Sequence, residues 1–197
     1  MRNHLKRLCV FCGSSFGARP EYADAARGTG LLLARRGVEL VYGGAAAGLM
    51  GVIADACLDA GGLVTGVIPQ ALVDREIAHR RLSDLRIVES MHERKALMAD
   101  LADAFLALPG GFGTFEEFFE ALTWSQLGIQ RKPCGLLNVA GYYDDLLRLL
   151  DRALADGFLR PQHRAMMISA SDPAEVLELL SAVEVPVVRK WAERTER

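Results

Sequence analysis

The sequence predicts an α/β fold: a doubly wound, mostly parallel, Rossmann-like sheet with helices on both faces. Short apolar runs rich in Val, Leu and Ile alternate with amphipathic helical runs along nearly the whole chain. The apolar runs lack the polar alternation of a strand that has one face in water, which is typical of parallel strands buried on both faces. Alternating strands and helices in turn predict a doubly wound sheet.

Six strands and six helices are predicted along the chain. The strands cover residues 8–11, 39–42, 63–68, 85–88, 104–108 and 135–138. The helices cover residues 20–36, 48–60, 91–102, 115–127, 142–156 and 173–180. Pro20 begins the first helix and Gly37 follows its end, while Asp172 and Pro173 provide the N-cap and first residue of the last helix. Residues 70–84 are less regular, and we expect a loop there with at most one helical turn.

Length and composition predict one soluble, cytoplasmic domain. The 197 residues fit a single domain, with a core over residues 8–180 and a polar tail over residues 189–197. The net charge of −2 gives no reason to expect nucleic-acid binding. No apolar run approaches the roughly 18 residues of a membrane span, and the run behind the basic N-terminus is too short for a signal-peptide core.

Cys9 and Cys12 have the C-x-x-C spacing of zinc or redox sites. Both lie on a predicted strand or at its end, where positions i and i+3 point to opposite faces. The chain has no second C-x-x-C. We therefore interpret the two cysteines as structural and expect no metal site.

Three glycine-rich turns follow predicted strands. They contain Gly13 and Ser14, Gly43 and Gly44, and the segment that begins at Pro109. None has the G-x-G-x-x-G dinucleotide pattern or the Gly-Lys-Ser/Thr of a Walker loop. An ordinary strand-to-helix turn also needs glycine, so each turn alone is weak evidence. Three of them at the carboxyl edge of one parallel sheet favour a nucleotide-sized site.

The third turn, P-G-G-F-G-T-F-E-E from Pro109 to Glu117, is the most informative. Glycines at a strand-to-helix turn let backbone N–H groups approach a ligand, and a helix N-terminus favours an anion. Carboxylates directly behind such a cradle suggest chemistry on a phosphorylated substrate. The sequence also fits a capping box with Thr114 as N-cap and Glu117 as N3. Glu117 therefore has two candidate roles, capping and catalysis, which are compatible with each other.

Arg94 and Lys95 lie in the first turns of a helix that leaves the same edge of the sheet. The helix dipole favours cations at the opposite end, so it does not account for them. A neighbouring anion would account for them. The alternative is an ordinary solvated helix face with Glu93 as a neighbour.

These motifs resemble those of the LONELY GUY-type phosphoribohydrolases, a cytokinin-activating group often mislabelled as lysine decarboxylases. The hallmark P-G-G-x-G-T-x-x-E is matched in full from Pro109 to Glu117, and the Arg-Lys pair of the group is matched in M-H-E-R-K from Met91 to Lys95. The resemblance runs from about residue 8 to about residue 176. Shorter matches are F-C-G-S-S from Phe11, Y-G-G from Tyr42, T-W-S-Q-L-G from Thr123 and G-L-L-N-V from Gly135.

The resemblance implies hydrolysis of the N-glycosidic bond of a nucleoside 5′-monophosphate on a Rossmann-like fold. The preferred substrates of the group carry an isoprenoid or related substituent on adenine N6, and the products are the free base and ribose 5-phosphate. It implies no metal or organic cofactor. It also implies a homodimer or larger ring, for which the helices that begin at Met91 and Phe115 are candidate interface elements.

Carried over to this chain, the resemblance makes Arg94 and Glu117 the catalytic pair. Glu117 would serve the sugar and the attacking water, while Arg94 would orient the substrate, assist departure of the base or bind phosphate. The residues expected to hold phosphate and ribose are Gly110, Gly111, Phe112, Gly113, Thr114, Phe115 and Glu116. Further expected substrate contacts are Glu76, Lys95 and Thr123, together with Gly13, Ser14, Gly43 and Gly44 of the other two turns.

Two alternatives remain at this point. A non-catalytic nucleotide or cofactor carrier would use the same fold, but it has no need of an Arg94/Glu117 pair. A pyridoxal-phosphate decarboxylase would need a Schiff-base lysine, for which Lys95 is the sole candidate near the predicted site.

Overall fold

A seven-stranded parallel sheet forms the centre of the molecule. The computed structural model describes residues 5–74 and 78–183. The spatial order is β4-β3-β2-β1-β5-β6-β7, and every neighbouring pair is parallel. The strands are β1 (Arg7–Phe11), β2 (Glu39–Tyr42), β3 (Val64–Pro69), β4 (Asp84–Val88), β5 (Ala104–Ala107), β6 (Cys134–Leu137) and β7 (Met167–Ala170).

Helices cover both faces of this sheet. The helices are α1 (Pro20–Arg36), α2 (Gly48–Asp59), α3 (Gln70–Val73), α4 (Met91–Leu101), α5 (Phe112–Leu127), α6 (Asp144–Ala155), α7 (Pro161–Arg164) and α8 (Pro173–Ala182). Residues of α1, α2 and α8 form one apolar core with one face of the sheet. Residues of α4, α5 and α6 form the second core with the other face. The doubly wound α/β prediction is thus confirmed.

All predicted strands and helices are present, and the structure adds the short elements β7 and α7. All six predicted strands exist, but the structure adds β7, which the sequence did not single out because Ser169 interrupts a short apolar run. The irregular segment 70–84 contains one helical turn, α3, as expected. A 3₁₀ turn, Val139–Gly141, delays the start of α6 to Asp144. The predicted polar tail lies outside the described residues.

The predicted capping box at Thr114 is wrong, because α5 begins three residues earlier than expected. Gly111 is the N-cap, with an extended backbone, and Thr114 is already inside the first helical turn. Because glycine is a poor helix former, the sequence predicted that Gly113 belongs to the loop. Glu117 is therefore in the second turn, beyond the position from which an N3 side chain caps.

Cys9 and Cys12 lie on opposite faces of the sheet, as their spacing predicted. Cys9 belongs to the core under α4 and α5, whereas Cys12 belongs to the core under α1 and α2. Both are free and buried, and burial raises the pKa of both thiols. They are therefore protonated core residues at neutral pH.

The strand order reverses between β1 and β5, and the three glycine-rich turns meet at that point. The Gly13 N–H donates to the Pro109 carbonyl at 3.0 Å, and the Leu49 N–H at the start of α2 donates to the Gly13 carbonyl at 3.0 Å. Ligands of open α/β sheets bind outside the carboxyl ends of the strands at such a reversal. Within the described ranges, no helix combines the length and hydrophobicity that a membrane span requires.

Candidate active site

A cavity of about 300 Å³ opens at the reversal between β1 and β5. Its floor is formed by residues 13–17 after β1 and by Pro109, Gly110 and Gly111 after β5. Tyr22 of α1 and Tyr142 close one side, with ring centroids 5.6 Å apart in an edge-to-face arrangement. The cavity therefore places polar backbone groups opposite an aromatic wall.

The loop after β5 presents a row of unpaired backbone donors. The N–H groups of Gly110, Gly111, Phe112, Gly113 and Thr114 have no acceptor among the residues that the structure describes. No acidic side chain occupies the first turn of α5. Unpaired N–H groups at a helix N-terminus, with the positive end of the helix dipole, form a site for an anion such as phosphate.

Gly110 is required in this loop for close packing. A Cβ at this position would lie 2.1 Å from Thr114 Oγ1 and 2.9 Å from the Gly13 nitrogen. Any side chain here would push the loop away from both the helix and the neighbouring turn. The glycine thus holds the donor row against β1 and α5.

Arg94 and Glu117 form a buried ion pair beside this loop. Arg94 Nη1 lies 3.2 Å from Glu117 Oε1, and the two side chains are only 10% and 11% exposed. Arg94 Nε also donates to the Val67 carbonyl at 3.1 Å, which fixes the plane of the guanidinium. Two residues 23 positions apart on successive helices are thus brought together at the carboxyl edge of the sheet.

Each partner of the pair keeps one polar atom free. Arg94 Nη2 has no acceptor, and Glu117 Oε2 has no donor, within the described part of the chain. Gly43 makes room for the guanidinium, since a Cβ there would lie 1.8 Å from Arg94 Nη2. The pair can therefore bind to a substrate without first breaking its own contact.

The environment of Glu117 makes its carboxylate a better proton acceptor. Burial raises its pKa, the Arg94 guanidinium lowers it, and the carboxylates of Glu116 and Glu120 raise it. The net result is a pKa above the ordinary value of a glutamate. A raised pKa at a buried carboxylate is typical of general bases and acids.

Lys95 is bound by two carboxylates of α5. Its Nζ donates to Glu116 and, at 3.1 Å, to Glu120. Burial lowers its pKa, but the hydrogen bonds that it donates to Glu116 and Glu120 raise it, and the pKa lies above its ordinary value. Lys95 is therefore a fixed positive charge in the wall next to Glu117.

The cavity at the β1–β5 reversal is lined by the predicted residues Gly13, Ser14, Gly110 and Gly111, whereas several other predicted contact residues do not line it. Thr123 lines a separate cavity of about 180 Å³ with residues of α6 and β7, away from the pair. Phe112 is 93% exposed, and the Phe115 ring packs edge to face on Tyr143. The Gly44 carbonyl accepts from the His79 N–H at 2.9 Å. Glu76 lies outside the described residues.

The sequence did not single out Tyr22 and Tyr142 as site residues. Tyr142 and Tyr143 follow β6, so they reach the same carboxyl edge as the three glycine-rich turns. The position of this dipeptide, four residues beyond the predicted strand end at residue 138, was the available signal. A helix predicted to begin at Tyr142 concealed it.

Comparisons with known proteins give a consistent result. A family model described as "Possible lysine decarboxylase" matches residues 50–180. A protein of Oryza sativa subsp. japonica named "Probable cytokinin riboside 5'-monophosphate phosphoribohydrolase" is 52% identical over 94% of this chain and 82% of its own length. An Arabidopsis thaliana protein named as a cytokinin riboside 5'-monophosphate phosphoribohydrolase is 49% identical over 93% of this chain and 84% of its own length.

Two solved structures with similar folds are those of a molybdenum cofactor binding protein and a Moco carrier protein. The molybdenum cofactor binding protein from Rippkaea orientalis has a TM-score of 0.66 and 23% identity, covering 91% of this chain and 96% of its own. The Moco carrier protein from Chlamydomonas reinhardtii has a TM-score of 0.67 and 20% identity, covering 88% and 93%. At these identities the likeness shows the fold alone.

We predict that Gly43→Ala destabilises the protein by about 1–3 kcal/mol, the usual cost of overpacking. The new methyl group must displace the Arg94 guanidinium and so separate it from Glu117. Thermal unfolding measures the loss, and a crystal structure of the variant reports the new Arg94–Glu117 distance.

Gly28→Ala in α1 is the matched control for the Gly43 substitution. No atom lies within 4 Å of a Cβ at Gly28, so Ala should stabilise this helix by roughly 0.5–1 kcal/mol. If Gly43→Ala had an unchanged melting temperature and an intact ion pair, Gly43 would not be needed to leave space for the Arg94 guanidinium.

Proposed function

Because the chain belongs to the cytokinin riboside 5′-monophosphate phosphoribohydrolase family, whose family model is described as "Possible lysine decarboxylase", we propose that it hydrolyses the N-glycosidic bond of N6-substituted adenosine 5′-monophosphates. The products are the free base and ribose 5-phosphate. The observation that carries this function is the Arg94–Glu117 pair, which lies beside a row of unpaired N–H groups. The row of N–H groups suits a phosphate, and the Arg94–Glu117 pair suits the reacting sugar and base.

The substrate's phosphate binds to the loop after β5 in this proposal. Its oxygens accept from the N–H groups between Gly110 and Thr114, at the positive end of the α5 dipole. The cavity adjoins Gly13 and Ser14, which supports contacts from the turn after β1. The sugar then lies over the second turn of α5, where Glu117 is found.

Glu117 acts on the sugar and on water. Breaking the glycosidic bond develops positive charge at C1′, which a fixed carboxylate stabilises. The oxygen of a water molecule bonds to C1′ as the C1′–N9 bond breaks, and the Glu117 carboxylate accepts the water's proton. That proton is then available to the departing base, so atoms and charges balance. The raised pKa of Glu117 supports this acceptance of a proton.

Arg94 contributes through its unpaired Nη2. A cation at this position offsets the negative charge that the base acquires as it departs. Its pairing with Glu117 also lowers the pKa of that carboxyl group and so opposes the effect of burial. Gly43 supports both contributions, because it leaves the space that the guanidinium occupies.

The alternative functions have less support. A Schiff-base lysine needs a depressed pKa to react at neutral pH, whereas the hydrogen bonds that Lys95 donates to Glu116 and Glu120 raise its pKa. A lysine decarboxylase of the pyridoxal-phosphate type is therefore disfavoured at this site. The carrier alternative rests on structures of about 20% identity, while the hydrolase relatives are about 50% identical.

We also infer a homodimer in the cytoplasm. Apolar side chains are exposed on the two helices that the sequence nominated for an interface: Met91 on α4 is 45% exposed and Leu127 on α5 is 39% exposed. Ile129, directly after α5, is 67% exposed. The described cysteines are free and buried, which supports a compartment that keeps thiols reduced.

Glu117→Gln should lower turnover by about 10²–10⁴-fold, the usual contribution of a positioned acid or base. Glutamine keeps the size of the side chain but cannot accept the proton. The assay is chromatographic release of free base from AMP and from N6-isoprenoid AMP, with ribose 5-phosphate measured in parallel. Glu116→Gln, which alters an exposed neighbour, is the control and should change turnover far less. Near-wild-type turnover in Glu117→Gln would refute the role of Glu117 as the group that accepts the water's proton.

The pH profile provides a second check on Glu117. Activity requires the ionised carboxylate, so kcat/KM should fall as the pH drops through the pKa of Glu117, which lies above the ordinary 4.5. Arg94 lowers that pKa, so Arg94→Met should move the acid limb to higher pH. Glu117→Gln should abolish the limb. A limb that stays at the same pH in Arg94→Met would contradict the coupling of the two residues.

Sedimentation measurements test the proposed homodimer. The wild-type protein should sediment as a dimer at micromolar concentration, and the double variant Met91→Glu/Leu127→Glu should sediment as a monomer, because charges disfavour an apolar interface. Leu149→Glu is the matched control, since Leu149 is 63% exposed on α6. A monomeric wild-type protein, or a double variant that remains dimeric, would refute this interface.

A further inference from the structure

Two adjacent tyrosines hold two carbonyls of the loop after β5. The Tyr143 hydroxyl donates to the Leu108 carbonyl at 2.7 Å, and the Tyr142 hydroxyl donates to the Gly110 carbonyl. Tyr143 is fully buried in the core, whereas Tyr142 is partly exposed and lines the cavity. The two residues therefore contact the same loop from different positions, one in the core and one at the site.

The turn that carries these tyrosines is held in an unusual conformation. Ala140 has a φ of 51° and Gly141 a φ of 74°, and a non-glycine residue rarely adopts the left-handed region. Asn138 fixes the turn on both sides: its Oδ1 accepts from the Tyr143 N–H at 2.7 Å, and its Nδ2 donates to Asp144 at 2.7 Å. Backbone strain of this kind is maintained where the surroundings demand a specific placement.

The Tyr142 contact determines how the Gly110–Gly111 peptide is rotated. This peptide is trans, so its N–H points away from the carbonyl that Tyr142 binds. The preceding peptide is fixed in the same way, because the Pro109 carbonyl accepts from the Gly13 N–H at 3.0 Å. The N–H groups of Gly110 and Gly111 are thus oriented by contacts at the opposite ends of their peptides, while flanking glycines leave the loop free to rotate otherwise.

We propose that Tyr142 is a positioning residue for recognition of the 5′-phosphate: its hydroxyl holds the Gly110–Gly111 peptide in the orientation in which the loop binds the anion. The proposal rests on the proposed function, because it assigns the anion to a nucleotide substrate. It adds a residue outside the glycine-rich loop and outside the Arg94–Glu117 pair. Tyr142 acts through the backbone of Gly111 and does not touch the reacting atoms.

The test is the affinity of Tyr142→Phe for ribose 5-phosphate, measured by calorimetry, together with its steady-state kinetics. Phenylalanine keeps the ring and the cavity wall but releases the Gly110 carbonyl. The Kd for ribose 5-phosphate and the KM for AMP should both rise by about 3–10-fold, which corresponds to one hydrogen bond. The kcat at saturating AMP should change less than KM, because the reacting groups are untouched.

Tyr143→Phe is the matched control, since it also removes a tyrosine hydroxyl from a carbonyl of the same loop. Without the Tyr143 hydroxyl, the buried Leu108 carbonyl loses this donor, so the melting temperature should fall. The Kd for ribose 5-phosphate should change less than it does in Tyr142→Phe. Equal losses of affinity in both variants, or none in Tyr142→Phe, would overturn the positioning role. Because calorimetry requires no turnover, a wild-type protein that binds ribose 5-phosphate but releases no base would refute the proposed function alone.

Discussion

The buried ion pair between Arg94 and Glu117 is the interaction on which the carboxyl edge of this sheet depends. A charge removed from water is costly unless a partner and hydrogen bonds compensate it. Three separate elements therefore have to meet the guanidinium: α5 supplies the carboxylate, β3 supplies the Val67 carbonyl, and the turn after β2 supplies the space at Gly43. Removing either partner leaves the other charge buried and uncompensated. The glycine-rich turn and the two helix starts are consequently parts of one electrostatic unit.

A second layer of charge surrounds this unit. Lys95 lies between Glu116 and Glu120 on the side of α5 next to Glu117. The two outer carboxylates raise the pKa of Glu117 and Lys95 lowers it, so the outer charges partly cancel at the Glu117 carboxylate. Lys95 thereby offsets the repulsion among the three glutamates in the second and third turns of α5. The resemblance gave Lys95 a substrate contact, whereas the geometry gives it neighbours within the protein.

The features predicted correctly from the sequence are those with a local physical cause. Apolar runs without polar alternation marked the buried strands, and glycines after them marked the turns that meet at the β1–β5 reversal. The start of α5 was misplaced because glycine propensity argues against a helix at Gly113, while tertiary contacts at Gly110 override it. Tyr142 was missed because its importance comes from a contact 32 residues away in the chain. Such a distant contact leaves no local pattern, and the sequence predicts a helix from Tyr142, whereas the structure has a turn there and begins α6 at Asp144.

In the proposed function the phosphate is bound by main-chain amides, and amides do not titrate in the physiological range. Affinity for a phosphate group at the loop between Gly110 and Thr114 is therefore insensitive to protonation of the loop itself. The pH dependence of binding there follows the ligand's own second ionisation, near pH 6. Under this proposal, recognition and bond cleavage are governed by different acids, the phosphate in one case and Glu117 in the other, and the two can respond to acidity independently.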